Sequence, residues 1–375
     1  MTKVLCVHQG AELYGSDRSF VQSLEGIRET FHDAQITVVL PENGPLVNLI
    51  APISDEIIIE PVGKVSRKEL KRNPIKKLKQ IVSESFKAYL NIKKFDLVYV
   101  NTIVPFSYMI AMIFCKKIRI LHVREIPHSK LESLIFSLYF TISQVKLIFN
   151  SHKTKASFYF LNNRNATVIQ NGVEKIKVPP VRNISDEGPI NILLVGRINS
   201  WKGQMIAVEA CSLMVDRGIN LKLRIVGDPP PRQRDLLENL NKSIDELKLK
   251  DHVDVFSFSN DVALHYEWAQ IVLVPSIRPE PFGRVATEAM SAGRPLCASD
   301  CGGLSEILTG SASGTLVPPN DASAIASAIQ YYADNPDVFQ QHATRGPHVY
   351  AEKFSGGIYI SNIKKYFTQL VGLSR

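Results

Sequence analysis

Two carboxylates eight residues apart, Glu280 and Glu288, stand in the stretch Pro275–Gly303, PSIRPEPFGRVATEAMSAGRPLCASDCGG. The apolar run Ile271–Val274 before it reads as a buried strand, and a helical pattern runs from about Arg284 to Ser291 after Phe282-Gly283. Glu280 then lies in the loop before the helix, with Glu288 about one turn inside it. A helix N-terminus presents unpaired N–H groups and a partial positive charge, which suits a phosphate. The two carboxylates would accept hydrogen bonds from neutral hydroxyls on either side of that phosphate. The same acids at a helix start are also stabilised by the dipole alone, so the pair by itself leaves a ligand site and a plain helix start both open.

A second group of candidates ends the strand Arg119–Val123. Alternation along Ile120-Leu121-His122-Val123-Arg124 puts His122 and Arg124 on one face and Leu121 and Val123 on the other, with Glu125 just beyond. One reading has these residues lining a cleft where an acceptor hydroxyl arrives. The other makes His122 a core histidine bonded to a backbone carbonyl, and Arg124 and Glu125 an ion pair. His8, at the end of the first strand, poses the same choice. The loop behind it, AELYGSDRS, carries Gly15 and Ser16. Gly10 and Gly15 let the backbone pass close to a ligand, and Ser16 or Asp17 suits a helix cap.

The elements that position these residues repeat one scheme. Short apolar runs, among them Lys3–Val7, Ile36–Leu40, Ile57–Ile59, Asp96–Val100, Lys146–Asn150 and Ala166–Ile169, alternate with longer helical stretches and end in polar residues. That indicates a parallel sheet with its site at the strand C-terminal ends. Lys177–Ile190, with three prolines and no apolar periodicity, reads as a linker. A second series then begins at Asn191–Val195, which ends in Gly196-Arg197 before Lys202-Gly203 and an amphipathic helix marked by Met205, Val208, Ala210, Leu213 and Met214. Leu221–Val226, ending in Gly227-Asp228, and Val253–Phe256, Ile271–Val274 and Pro295–Ala298 complete it. The chain of 375 residues therefore holds two α/β domains.

Hydrophobic content of 45% and charged content of 21% are those of a globular protein. The five cysteines form no C-x-x-C pair, and Cys6, Cys211 and Cys297 fall in apolar runs, the pattern of buried thiols in a reducing compartment. The first residues, MTKVLCVHQG, lack a signal peptide's apolar region. The most apolar windows, Leu97–Cys115 and Leu131–Asn150, are interrupted by polar residues and read as strand-plus-helix segments. A cytoplasmic location is expected. The net charge of +8 is concentrated between Lys64 and Lys94, where eleven Lys or Arg stand against Glu69 and Glu84. Leu70, Ile75, Leu78, Ile81, Val82, Phe86 and Leu90 lie between these charges in an amphipathic pattern broken at Pro74. A solvated helix face and a surface held against anionic lipid are both open. Nucleic acid is not expected, because no aromatic platform is interleaved with the charge.

The second half resembles the nucleotide-sugar-binding half of family-four-type retaining glycosyltransferases, the family of many bacterial surface-polysaccharide enzymes. The residues that carry the resemblance are Gly196-Arg197 with Lys202-Gly203, Glu280-Pro281-Phe282-Gly283 with Glu288, and Ala292-Gly293-Arg294-Pro295 with Gly302-Gly303. In the first half YGSDRS is similar to the family's glycine-rich loop, and Ile169-Gln170-Asn171-Gly172-Val173 to its turn before the linker. The resemblance implies the GT-B architecture: two Rossmann-like, doubly wound parallel-sheet domains facing a central cleft. Residues 1–180 would form the acceptor side and 181–350 the nucleotide-sugar domain, with a helix in 351–375 packing back on the first. It implies that Arg197 and Lys202 hold the diphosphate and that Glu280 binds hydroxyls of the transferred sugar. The N–H groups of Phe282, Gly283 and Arg284 would help fix that sugar, Glu288 would take the ribose, and Gly15, Ser16, Gly196 and Gly227 would border the donor. Neither a metal nor another cofactor is implied. Many relatives carry His where this chain has Arg124, which leaves the catalytic His role to His122 or Arg124 to an anionic acceptor group, with Glu125 beside it.

The expected function is transfer of a sugar from a nucleoside diphosphate sugar to a glycan acceptor, lipid-linked and met at the inner face of the cytoplasmic membrane, in polysaccharide or lipopolysaccharide synthesis. Nucleotide-sugar epimerisation or phosphorolysis is a second reading. A non-catalytic sugar-nucleotide or nucleic-acid binder is a third, against which the full set Arg197, Lys202, Glu280 and Glu288 argues.

Overall fold

In both halves of the chain there are four-residue runs, Val4–Val7, Leu97–Val100, Ile192–Val195 and Ile271–Val274, that stay apolar at every position instead of alternating. Such runs form strands covered on both faces. The computed structural model describes residues 1–64, 72–161, 165–230, 232–259 and 261–372. Arg67, Lys68, Glu69, Leu70 and Lys71 of the basic segment lie outside the described residues.

The chain forms two compact units. Met1–Gly172 and the chain from Gly356 onward make the first, and Val173–Ser355 the second. In the first unit the strands are β1 (Lys3–Val7), β2 (Gln35–Leu40), β3 (Glu56–Ile59), β4 (Leu97–Asn101), β5 (Ile118–Val123), β6 (Lys146–Phe149) and β7 (Ala166–Val168). They pair in parallel in the order β3-β2-β1-β4-β5-β6-β7. The order reverses between β1 and β4, and the loops after those strands are where such sheets take ligands.

Each face of this sheet has its own core. Val4, Cys6, Tyr99 and Ile120 pack with Phe20, Leu24 and Ile27 of the helix Gly15–Thr30 and with Ile363 and Phe367 of the helix Gly356–Gly372. Leu5, Val98, Leu121 and Phe149 pack on the other face with Ala88 and Ile92, Met109 and Met112, and Phe140. Those residues come from the helices Pro74–Ile92, Phe106–Ile113 and Lys130–Ser143. The helix Gly356–Gly372 is held by more than its apolar stripe, since Tyr359 Oη lies 2.7 Å from Ser23 Oγ.

The second unit contains β8 (Ile190–Val195), β9 (Leu221–Val226), β10 (Val253–Phe256), β11 (Ile271–Val274), β12 (Leu296–Ser299) and β13 (Gly314–Val317). Their parallel order is β10-β9-β8-β11-β12-β13, with the reversal between β8 and β11. The sequence reading contained no counterpart of β13, a four-residue edge strand that begins at a glycine. The helix Gln204–Asp216 turns Ala207, Val208, Cys211 and Met214 inward, while Met205, expected on its apolar face, is exposed.

The proline-rich stretch expected to be a linker is fastened along the second unit. Ile176 N–H donates to Ser291 Oγ at 3.0 Å, Arg294 Nη2 to the Pro179 carbonyl at 3.0 Å, and Gln270 Nε2 to the Asn183 carbonyl at 2.8 Å. Ile184 is buried in the core. Its prolines remove backbone donors, and side chains of the unit satisfy carbonyls such as those of Pro179 and Asn183.

Candidate active site

The second unit places its expected residues at the reversal point. The loop after β8 carries Gly196, Arg197 and Lys202, and the loop after β11 carries Glu280, so the two loops rise from neighbouring strands. Asn199 shapes the first loop. Its Oδ1 accepts from Trp201 N–H at 3.0 Å and from Lys202 N–H at 2.8 Å. Gly227, at the end of β9, follows because a Cβ there would run into the Gly196 carbonyl and because its φ of +150° lies in glycine's range. These constraints bring two glycine-edged strand ends close together, with little side chain between them and a ligand.

Lys202 Nζ lies 2.8 Å from Glu280 Oε1 and 4.8 Å from the centroid of the Trp201 ring. Glu280 is buried, and the same Oε1 accepts from Ser276 Oγ. Its backbone is fixed too, since its carbonyl accepts from Gly303 N–H at 2.7 Å. The pair is a partly exposed ammonium against a buried carboxylate. A sugar hydroxyl can take over the carboxylate while a phosphate takes over the ammonium.

Gly283 precedes the helix Arg284–Ser291 with φ of +112°, and a Cβ there would stand 2.7 Å from Leu304 Cδ2. The residue that turns the chain into this helix is therefore glycine for both conformation and space. Phe282 packs its ring on Phe354 in the core, with centroids 6.0 Å apart, so only its backbone is available to a ligand. Glu288, one turn into the helix, accepts from Tyr266 Oη at 3.2 Å through Oε2, and its Oε1 lies 3.8 Å from Arg284 Nη2. Tyr266 is fully buried. Burial, with the Glu288 charge, holds its phenol far above the usual range, so it stays a donor. Ser276 and Tyr266, which orient the two glutamates, were absent from the sequence reading. Tyr266 stands twenty-two residues from Glu288, and no local pattern marks that pairing.

In the first unit the structure places His122 and Arg124 in the interior. His122 is fully buried on the sheet face covered by the helices Gly15–Thr30 and Gly356–Gly372, and its Nδ1 lies 2.8 Å from Tyr99 Oη. Burial, reinforced by the Arg124 charge, keeps it neutral by holding its pKa well below the ordinary value. This burial is the arrangement of the core-histidine reading. Arg124 is also buried. Its Nε donates to Asn101 Oδ1 at 2.7 Å, its Nη1 to Asn171 Oδ1, and its Nη2 to Tyr359 Oη at 2.8 Å. The fork is occupied by interior acceptors and ties β5 to the Asn171 turn and the helix Gly356–Gly372.

The Arg124 network continues to the loop after β1. Asn101 Oδ1 faces Arg124, so its amide nitrogen is the donor to His8 Nδ1 at 2.9 Å. His8 then carries its proton on Nε2, 2.7 Å from Asp17 Oδ1. Asp17 Oδ2 reaches back to accept from Tyr14 N–H at 2.8 Å and closes the first turn of the Gly15–Thr30 helix. His8 is thus the satisfied core histidine of the two readings. Ser16 Oγ lies 3.2 Å from Gln9 Nε2, with Gly15 half-buried beside it. Glu125 remains half-buried at the end of β5, its Oε2 accepting from Ile103 N–H at 3.2 Å and from Arg124 N–H at 3.1 Å. Burial outweighs these bonds and raises its carboxyl to about 7.

The family model described as "Glycosyl transferases group 1" matches residues 179–347. Among curated proteins, the alpha-D-kanosaminyltransferase of Streptomyces kanamyceticus is 31% identical over 172 residues, which are 45% of this chain and 43% of that protein. The putative colanic acid biosynthesis glycosyltransferase WcaL of Escherichia coli is 29% identical over 169 residues, 43% of this chain and 40% of that protein. These matches span less than half the length of the curated relatives. Among solved structures, Anabaena Alr3699/HepE in complex with UDP-glucose is similar with a TM-score of 0.79 and 19% identity, covering 98% of this chain and 100% of that one. At that identity the likeness establishes the fold, two parallel α/β sheets of the kind GT-B glycosyltransferases have.

Proposed function

We propose that the chain, whose residues 179–347 match the group 1 glycosyltransferase model, transfers a sugar from a nucleoside diphosphate sugar to a glycan acceptor with retention of anomeric configuration and without a metal. The observation that carries this reading is the Lys202–Glu280 pair at 2.8 Å. It sets a phosphate-binding cation and a hydroxyl-binding carboxylate side by side, close to the start of a helix. Arg197 and Lys202 hold the diphosphate, the N–H groups of Phe282, Gly283 and Arg284 add partial positive charge, Glu280 takes hydroxyls of the transferred sugar, and Glu288 takes the ribose.

The chemistry follows from that placement. The anomeric carbon–oxygen bond to the β-phosphate breaks, and the two cations stabilise the charge that builds on the leaving oxygen. The acceptor oxygen attacks from the same face, and its proton passes to a phosphate oxygen, so no protein base is required. The cations supply the charge stabilisation that a divalent ion would otherwise give. Support for the donor class comes from HepE, a fold neighbour solved with UDP-glucose. Support for a surface-polysaccharide acceptor comes from the relative named for colanic acid biosynthesis.

The acceptor in this reading is lipid-linked, and the basic segment Lys64–Lys94 holds the enzyme peripherally at the cytoplasmic face of an anionic membrane. Among the described residues no helix is long and apolar enough to cross a membrane. Product analysis by NMR with an oligosaccharide acceptor is the test. The α-linkage of an α-configured donor is expected to persist in the product, with turnover unchanged by EDTA. Inverted product, or activity lost to EDTA and restored by a divalent ion, would overturn it. Release of free sugar or an isomerised donor without an acceptor would instead support an epimerase or phosphorylase.

A further inference from the structure

The helix Lys130–Ser143 is built inside out. Its buried face carries Ser133, Ser137, Phe140 and Ser143, while Leu131, Leu134, Ile135, Leu138 and Ile142 point outward and are 46% to 66% exposed. The serines have interior work that explains their direction. Ser133 Oγ donates to the Ser157 carbonyl at 2.6 Å, and Ser137 Oγ accepts from Tyr159 N–H at 2.8 Å. Small hydroxyl residues therefore dock this helix on the segment 157–159, and the five large aliphatic side chains are left outside at helical spacing.

The helix Pro74–Ile92 repeats the feature on the same side of the sheet. Ile81, Ala88 and Ile92 are buried, whereas Ile75, Leu78, Val82, Phe86 and Leu90 form an outward ridge 48% to 72% exposed. Helices that link parallel strands on one face return in the same direction, so the two helices run parallel on that face of the sheet. The shorter helix Phe106–Ile113 joins them. Phe114 at its end meets Tyr89 edge-on with ring centroids 6.5 Å apart, and the Met109 carbonyl accepts from Tyr139 Oη at 2.8 Å. Phe114 is itself 67% exposed.

Large apolar side chains exposed in this number on one side of the sheet mark an interaction surface, and the charges beside them select the occupant. Lys76, Lys79, Lys87, Lys116 and Lys130 are exposed around the ridges, and the acids within the two helices are Glu84 and Glu132 alone. A second copy meeting this face would set lysines against lysines. An anionic bilayer accepts both the aliphatic ridges and the ammonium groups. We infer that the helices Pro74–Ile92 and Lys130–Ser143 form one membrane-insertion face, whose two outward ridges enter the acyl boundary of an anionic lipid surface. The inference rests on the peripheral-membrane reading above and adds apolar insertion, on a second helix, to the electrostatic contact.

The experiment compares the wild-type chain, the ridge variant Leu131→Gln/Leu134→Gln/Leu138→Gln and the charge variant Lys76→Glu/Lys79→Glu/Lys87→Glu. Binding to phosphatidylcholine vesicles with and without phosphatidylglycerol is measured by co-sedimentation. The ridge substitutions are exposed and leave net charge unchanged, so thermal melting and UDP-sugar binding are expected to stay as in the wild type. Affinity for the anionic vesicles is expected to fall about 100-fold, roughly a factor of five for each half-exposed leucine. A fluorophore at Leu138→Cys is expected to be quenched by nitroxide lipids. Equal binding of ridge variant and wild type, with loss only in the charge variant, would overturn insertion while leaving the peripheral reading intact. No binding of the wild type to either vesicle would overturn both. Self-association of the wild type in the absence of lipid, abolished in the ridge variant, would assign the face to a second copy and overturn the inference.

Discussion

Replacing Arg124 by Lys separates a structural cation from one that binds an acceptor. Lysine keeps the charge and loses the planar fork. Three interior acceptors, Asn101 Oδ1, Asn171 Oδ1 and Tyr359 Oη, now share that fork. An ammonium on a shorter reach serves one of them, and the other two stay buried with a partner removed. At about 1–3 kcal/mol for each such loss the substitution destabilises the first unit by roughly 2–5 kcal/mol. For a unit of this size each kcal/mol lowers the melting temperature by about 2–4 °C, so a fall of roughly 5–15 °C is expected. Differential scanning calorimetry reads that shift, and initial-rate kinetics at a temperature where both proteins are folded read the acceptor KM, which is expected to stay within about twofold. A melting temperature close to wild type together with a raised acceptor KM would refute the argument and return Arg124 to the acceptor side.

Further expectations rest on other contacts. Tyr266→Phe removes the donor to Glu288 Oε2 at 3.2 Å. Glu288 is partly solvated, so the loss is worth about 1 kcal/mol, which is expected to raise the donor KM roughly fivefold with little change in kcat. His8 and His122 have pKa values lowered chiefly by burial. The unfolded chain takes up protons near pH 6.5 that the folded chain refuses, so stability present above about pH 6.5 is lost as pH falls below it. Urea midpoints at about pH 7.5 and 5.5 are expected to show the drop, and His122→Asn is expected to shrink it. Glu125 works in the opposite sense, since burial raises its carboxyl to about 7. The folded chain keeps a proton that the unfolded chain has lost above about pH 4.5, so the Glu125 contribution declines as pH rises to about 7 and is level beyond. Glu125→Gln is expected to abolish that decline in the same titration.

The strands and the polar residues beyond them were legible because a parallel sheet covered on both faces writes itself as continuous apolar runs with abrupt ends. The eight-residue spacing from Glu280 to Glu288, with Phe282-Gly283 between them, located a helix start, and the structure has that helix at Arg284–Ser291. The direction of His122 and Arg124 was not legible for the same physical reason. Alternation correctly set them together on one face, but both faces of β5 are covered, so sharing a face says nothing about solvent. Tyr266 was invisible because it acts through space on a glutamate fixed by another element, and Ser276, four residues before Glu280 in the same irregular loop, sits where no periodic pattern assigns a direction to a side chain. The Lys130–Ser143 helix reversed a habit of reading, in which the apolar side of a periodic helix is taken as its core side. Serine hydroxyls with interior partners claimed the inward face there.

The central claim is a donor site built on Arg197, Lys202, Glu280 and Glu288, and donor binding tests it most directly. Titration calorimetry would run UDP-, GDP-, ADP- and dTDP-sugars against the wild type, Lys202→Ala and Glu280→Ala. One nucleoside diphosphate sugar is expected to bind the wild type and to lose about tenfold or more in affinity in each variant, the loss of one charge-assisted bond, while both variants melt near the wild-type temperature. Binding undiminished in both variants, or no binding of any donor to the folded wild type, would contradict the account.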